Sequence, residues 1–470
     1  MIETIKLAMP IALLAMCWPA VGWAQMVGPT PTEGNSPSVG KPASSSSETP
    51  ATEDWAIHEQ ATFTAQYHPG FTSAFRGPNS LDPHEQARET FDATLYAGLR
   101  PWDGAELWVN PEIDQGFGLS STLGAAGFPS AEAYKVGAAN PYPRIPRVFL
   151  RQTINLGGDP SHIDAGLNQL AGTQTADRVV LTVGKFSVVD VFDTNQYAHD
   201  PRNDFLNWSV VDAGNFDYAA DAWGFTYGAA AEWYQDWWTI RTGLFDLSTI
   251  PNSKALDTRW FDQYQYDQEF EERHTLLGQP GKLKFLAFLM HGRMGLYDQA
   301  TALALQTGTP ANITAVRAGH NKGGFSLNLE QQVTDDLGVF ARAGWTQGQY
   351  EAFEFTDIDK TASFGGSLSG ARWGRSDDRV GLAFVVNDAS AAAKRFFAAG
   401  GLGILVGDGQ LLHSGPEKII ETYYSLAALS FARLSLDYRP TTAIAVRFPC
   451  SAPVFTRNFS GGERGTDGPS

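Results

Sequence analysis

The side chains best suited to chemistry in this chain are ones that bind rather than react. Arg144, Arg147 and Arg151 stand three and four residues apart, and Asp190, Asp193, Asp200, Arg202, Asp204 and Trp208 follow within a short span. Guanidinium and carboxylate groups offer paired donors and acceptors to a hydroxylated ring, and an aromatic side chain offers a platform for its C–H faces. Glu417, in a Pro-Glu dipeptide before an alternating stretch, adds a further acceptor or caps a local turn.

No set of residues points to catalysis, a metal or a cofactor. The nine histidines have no ligand spacing: His58, His68 and His84 sit early, and the others, including His199, His274, His291, His320 and His413, are scattered. A Ser/His/Asp combination can be drawn through any chain this long and carries no weight. Gly400-Gly-Leu-Gly403 and Gly407-Asp-Gly409 lack the Gly-Lys-Ser/Thr that a phosphate loop requires, and read as turns. Of two cysteines, Cys17 lies in an N-terminal export segment, so Cys450 alone remains and neither a disulfide nor a cysteine metal cluster can form. A net charge of −17 and a pI near 4.9 argue against nucleic acid as a partner.

The elements that must position the binding residues are strands. In Phe325-Ser-Leu-Asn-Leu-Glu-Gln-Gln-Val333, apolar side chains point one way and polar ones the other. Similar segments recur at 60–67, 90–100, 105–112, 147–156, 178–187, 225–234, 237–247 and 282–292. They continue at 323–333, 338–347, 362–371, 379–387, 421–430 and 432–439. Some pairs are joined by tight turn chemistry, as at Thr334-Asp-Asp-Leu337 and Pro101-Trp-Asp-Gly104, and others by long polar inserts. Short turns at one end and long loops at the other suit a porin-type barrel. A soluble sandwich is the competing architecture, but its inner faces would interlock in a dry core. Here the inward rows, such as Glu106, Trp108 and Asn110, or Arg342 and Thr346, are too polar for that. A water-filled lumen with lipid outside removes the difficulty. Trp233-Tyr234, Trp237-Trp238 and Tyr423-Tyr424 are then expected in an interfacial aromatic girdle.

The chain begins with one lysine, a short apolar stretch and small residues at Gly22 and Ala24, which reads as a signal peptide over 1–24. Residues 25–52 are rich in Pro, Ser, Thr and Gly, and are expected to be a disordered leader. From Trp55 the composition is even, so one large domain over 53–439 is expected.

Two longer motifs carry a family resemblance. The run Gly184-Lys-Phe-Ser-Val-Val-Asp-Val-Phe-Asp-Thr-Asn-Gln-Tyr-Ala-His-Asp-Pro-Arg-Asn-Asp-Phe-Leu-Asn-Trp208 resembles the signature region of the carbohydrate-selective porins, the OprB family. So does Ala398-Ala-Gly-Gly-Leu-Gly-Ile-Leu-Val-Gly-Asp-Gly-Gln410, followed by Pro416-Glu-Lys-Ile-Ile-Glu-Thr-Tyr-Tyr424. The resemblance spans about 55–439. It implies an all-β, antiparallel transmembrane barrel of about 16 strands in the outer membrane of a Gram-negative bacterium. Such a barrel passes mono- or small oligosaccharides by diffusion, with outer-membrane lipid and the barrel-assembly machinery as its other partners, as a monomer or a trimer. On this reading some of Arg144, Arg147, Arg151, Asp190, Asp193, Asp200, Arg202, Asp204, Trp208 and Glu417 line a constriction where Arg and Asp/Glu replace water around a sugar. The plainer alternative is that they are solvated charges, or salt bridges holding an infolded loop. Two other functional classes are a barrel lipid hydrolase and a non-conducting structural barrel.

The end of the chain departs from the family pattern of a last strand closing on an aromatic residue after Gly-Pro-Val. Pro440, Pro449 and Pro453 stand where that strand belongs. In a shifted reading frame, 440–459 can be read as an alternating string that contains Gly-Pro-Val and ends in Phe. The expectation is therefore an aberrant tail over 440–470, the product of a frameshift, with the barrel left short of its final strand and open at one edge.

Overall fold

The computed structural model describes residues 52–457 apart from 74, 134, 356, 408–413 and 441–442. The expected signal peptide and all but the last residue of the leader lie outside the described residues. The chain forms a closed barrel of antiparallel strands. These are β1 Trp55–His68, β2 Gln86–Leu99, β3 Ala105–Gly116, β4 Ala138–Ile163, β5 Gly172–Phe186, β6 Thr226–Gln235, β7 Trp238–Asp246 and β8 Tyr264–Leu276. The ring continues with β9 Gln279–Gly295, β10 Arg317–Gln332, β11 Leu337–Thr346, β12 Lys360–Gly370, β13 Arg375–Asp388, β14 Glu417–Leu429, β15 Ala432–Arg439 and β16 Ala443–Arg457. Each strand pairs with its neighbours in sequence, and β1 closes the ring against β16.

Two-residue periodicity decides which way each side chain faces. In β10, Phe325 and Leu327 are about 40% exposed on the outer surface, whereas Ser326, Asn328 and Glu330 are buried inside. Closure follows from the surroundings, because an unpaired backbone edge has no partner in hydrocarbon. No helix among the described residues is long and apolar enough to cross a membrane.

The expected open edge is not found. Ala443–Arg457 lies between β15 and β1, with register partners from Trp55↔Arg457 to Tyr67↔Ile444. Arg447 points inward, pairs with Asp437 through both guanidinium ends (2.8 and 3.0 Å), and donates to the carbonyls of Pro201 and Asp204. Pro449 and Pro453 each remove a ladder donor, and the register slips between Ile57 and His58. That loss is smaller than leaving a whole strand edge unsatisfied in lipid. β8 was also absent from the expected strands, since charged residues on its inner face obscure its alternation.

The connections sort by length. At one end lie 69–85, 117–137, 187–225, 247–263, 296–316, 347–359 and 389–416; at the other lie short turns such as 236–237, 277–278 and 430–431. The one short link at the long-loop end is 440–442. Long loops mark the external face and short turns the periplasmic face of such barrels.

Segment 187–225 folds back into the barrel and fills much of it. Its Phe192, Trp208, Phe216 and Tyr218 are buried in one cluster with the wall residues Phe186, Phe245, Leu286, Phe288 and Met290. Phe205 and Val210 join Phe340, Val385 and Tyr423 in a second. Rings meet edge-on, as in Phe205–Tyr423 (4.9 Å) and Phe192–Phe245 (6.0 Å). The expectation of a water-filled lumen lined by largely polar rows is therefore corrected in part. Several wall strands present large apolar groups inward, and the infolded segment covers them.

Polar wall groups then satisfy the infolded backbone. Glu269 accepts from the Asp193 amide (2.9 Å), Glu330 from Gln196 (2.8 Å), and Glu421 from Leu206 and Asn207 (2.6 and 2.9 Å). Arg342 donates to the carbonyls of Val210, Ala198 and Asp193 and pairs with the Asp193 carboxylate at 3.3 Å, both side chains being fully buried. Within the segment, His199 Nδ1 lies 3.3 Å from Asp212. Burial alone would lower the His199 pKa, but the hydrogen bond and charge of Asp212 outweigh it and push it up to about 9.

Two outcomes follow. Arg342→Met should lower unfolding stability in detergent by roughly 3–5 kcal/mol, because it removes the cation beside a buried carboxylate and the donor of four carbonyls; an unchanged urea midpoint would reject the tether. Because the folded fold favours charged His199, its contact holds fully below the ordinary imidazole range and is lost as pH rises through about 9. Amide exchange over 199–212 should therefore quicken between pH 7 and 10, after correction for intrinsic exchange. His199→Gln should abolish that response, and an equal response in both chains would rule the switch out.

Candidate functional site

A row of partly exposed charged side chains lies along β3 and β4. Antiparallel register sets Glu112 against Arg144, Asn110 against Arg147 and Glu106 against Arg151. Between these pairs one residue of β3, Pro111, faces two of β4, Ile145 and Pro146, and that register shift brings Arg144 and Arg147 to the same face despite their odd spacing. The three arginines step down the wall as a ladder.

Each rung is paired. Arg144 donates to both Glu112 and Asp114. Arg147 grips Asp190 through two parallel bonds of 2.6 and 2.7 Å. Arg151 stands 3.5 Å from Glu106 and donates to the Asn168 carbonyl at 2.9 Å. From the infolded segment, Arg202 faces Asp92 (3.4 Å) and Glu132 (3.5 Å). The four arginine side chains keep between 16 and 27% of their surface exposed. Asp190 also caps its own short turn by accepting from Ser187 N at 3.0 Å. Burial pushes its carboxyl up, but the Arg147 charge and hydrogen bonds outweigh this and hold it below the ordinary carboxylate range.

An aromatic surface completes the wall. The guanidinium carbons of Arg144 and Arg147 lie 5.0 and 4.9 Å from the centre of the Phe225 ring. Nearby, half-buried Trp223 donates its indole N–H to the Tyr142 hydroxyl at 3.0 Å. Asn110 is fully buried beside Arg147 in register, with no hydrogen bond to either amide atom, and Asp114 Oδ1 likewise has none.

Of the residues expected from sequence, Arg144, Arg147, Arg151, Asp190 and Arg202 come together on this wall. The others serve the scaffold. Asp193, in a left-handed conformation (φ 56°), accepts from Ala213 N (2.6 Å) and Asn328 (2.8 Å). Asp200 accepts from Arg202 N and Asn203, and Asp204 accepts from the amides of His199 and Asp200. Trp208 is corrected as a platform: it lies buried against Phe128 (5.3 Å, near-parallel) and Phe355 (5.0 Å). Glu417 accepts from the amides of Ala126 and Gly127 (3.1 and 2.9 Å), so it anchors a second infolded segment, 117–137, instead of capping a local turn.

Phe225, Trp223, Tyr142, Asp92 and Glu132 were not anticipated. Glu112 and Asp114 could have been, since they continue the inward row from Glu106 and Asn110. In the aromatic pairs, Trp233, Trp237 and Tyr424 face outward as expected of a girdle. Tyr423 is buried inside, and Tyr234 sits under the Arg178 guanidinium at 3.8 Å.

A family model for the carbohydrate-selective porin, OprB family, matches residues 78–430. The high-pH structure of Pseudomonas putida OprB superposes with a TM-score of 0.62 at 14% identity, covering 85% of this chain and 94% of that one. The low-pH structure of the same protein gives 0.44 at 12% identity (85% and 93% covered), and the outer membrane channel DcaP of Acinetobacter baumannii gives 0.46 at 10% (85% and 98%). No curated protein sequence matches. The first structural likeness establishes the fold, and the family match spans most of the sequence: this chain belongs to the OprB family of carbohydrate-selective porins, passive channels of the Gram-negative outer membrane.

Proposed function

We propose that mono- and small oligosaccharides cross this barrel along the β3–β4 wall, between the arginine ladder and the infolded segment. The observation that carries the reading is the grouping of four partly exposed guanidiniums with Phe225, Trp223 and Tyr142. A sugar moving down this wall exchanges water for guanidinium and carboxylate partners on its hydroxyl edge, and meets an aromatic surface with its C–H face. The strong pairing of each arginine keeps the guanidiniums from swinging across the passage. Asp190 links the two parts, since it belongs to the infolded segment yet fixes Arg147 on the wall.

Outer-membrane lipid surrounds the apolar outer band, and the barrel-assembly machinery is the partner for insertion. Each barrel encloses its own pathway, so a monomer and a trimer serve equally.

Liposome swelling with neutral sugars of increasing size tests the function. Monosaccharides should pass readily and long oligosaccharides should not, and a folded preparation passing none would leave a plugged structural barrel. Arg147→Ala should raise the half-saturating sugar concentration about tenfold, equivalent to about 1.4 kcal/mol. Unaltered flux and single-channel conductance in Arg147→Ala and Arg151→Ala would remove the ladder from the pathway.

A further inference from the structure

We propose a second sugar site, a capture pocket in the external loops and apart from the β3–β4 wall, that takes one neutral pyranose ring. The binding is argued from the pocket alone; its capture role rests on the reading that sugars cross this barrel.

Three long loops of the external end, 296–316, 347–359 and 389–416, meet with the start of β10 around a cavity of about 160 Å³. By liquid volume that is room for about five waters. One hexose fills it, and a second ring must lie outside. Thr314 and Leu402, both exposed, stand in its lining, so the cavity opens to the external side.

The lining is fixed before any ligand arrives. Glu351 accepts from Gly295 N (2.7 Å) and grips Arg317 through two bonds of 2.8 and 2.9 Å. One oxygen of Asp357 accepts from the amides of Ile404 and Leu405, at 3.1 Å each. Gly403 passes so close to that carboxylate that an added Cβ would stand 2.7 Å from both of its oxygens. From loops across the mouth, Asn79 and Gly124 hold the carbonyls of Gly403 and Leu405 at 2.8 Å. The buried Tyr297 ring packs on Phe396 with 5.0 Å between centres. Loops tied at this many points keep the space open, and a ligand bears little of their ordering cost.

What is left free suits a polyol. Arg317 bonds through Nε and Nη2, and Asp357 through Oδ2; Nη1 of the one and Oδ1 of the other have no hydrogen-bond partner among the described residues. The Thr314 hydroxyl donates to Asn312 (2.7 Å) and keeps lone pairs to accept with. A fixed donor, a fixed acceptor and a hydroxyl match the hydroxyls of a sugar, and Ile313, Leu402 and Ile404 supply apolar surface for its C–H faces. Other ligands fit less well. An anion needs the Arg317 charge, which Glu351 takes. A metal ion needs several ligating side chains together, and no group of three occurs among the described residues.

Saturation-transfer NMR on the full-length barrel in detergent tests the pocket, with D-glucose and maltose as probes. The Arg147→Ala background weakens any signal from the wall. Glucose should receive saturation, and one ring of maltose severalfold more than the other. Thr314→Trp fills the space from its exposed rim and should cut the transfer severalfold. Arg317→Lys keeps the charge beside Glu351 but loses the fork, and should raise the half-saturating glucose concentration about fivefold. In liposomes, uptake from dilute glucose should slow severalfold in Thr314→Trp. Equal transfer to both maltose rings, or binding unmoved in either variant with folded-form electrophoretic mobility, would overturn the site. Uptake from dilute glucose as fast as in the unaltered barrel would overturn its capture role. Failure of the pathway reading looks different: glucose binds at the loops, yet no barrel passes it.

Discussion

A loop threaded into a barrel carries its peptide groups with it, and those groups must be satisfied away from bulk water. That constraint organises the interior. Carboxylates on wall strands accept from amides of the infolded segments, and buried arginines on neighbouring strands donate to their carbonyls. Glu417 does the same for 117–137, and Arg439 reaches the Pro129 carbonyl. Ionised side chains suit the task because charge-assisted hydrogen bonds are stronger than neutral ones. The cost is that removing one partner leaves a buried charge, so the tethers hold as sets.

This division of labour explains why charge is plentiful inside the barrel and yet largely engaged with the infolded backbone. Arg342 and Asp193 are fully buried and fix the fold; Arg147 and Asp190 form a similar pair that keeps 20 and 31% of its side chains exposed. The same chemistry serves both places, and exposure alone separates them. Apolar packing seats the infolded segment against wall residues of β3, β4, β5, β7 and β9 alike, whereas Arg147 and Asp190 stay partly exposed.

Much of the barrel was legible from alternation, because lipid and lumen impose opposite demands on adjacent residues. The strands that escaped notice show the limit. In β8 the outward row Tyr266, Gln268 and Phe270 is broken by an amide, and the inward row is almost wholly acidic, so hydropathy hardly oscillates. In β16 prolines argued against a strand, and only the need of β1 and β15 for partners overrides them. The site was half legible. Arginines on one strand could be placed by spacing, whereas Trp208 could not be told from a platform until the segment around it folded inward. Phe225 lies next to β6 in sequence and meets the ladder only through tertiary structure.

The seam between β1 and β16 joins Trp55 to Arg457, near the two ends of the described chain. Every other wall pair joins consecutive strands and can form locally, but this one has the longest loop to close. The ring can therefore zip around from any hairpin, yet it seals only when its last strand arrives. Until then the nascent cylinder is a curled ribbon with two sticky borders, and the speed of that final stitch sets how long it is exposed to mispairing.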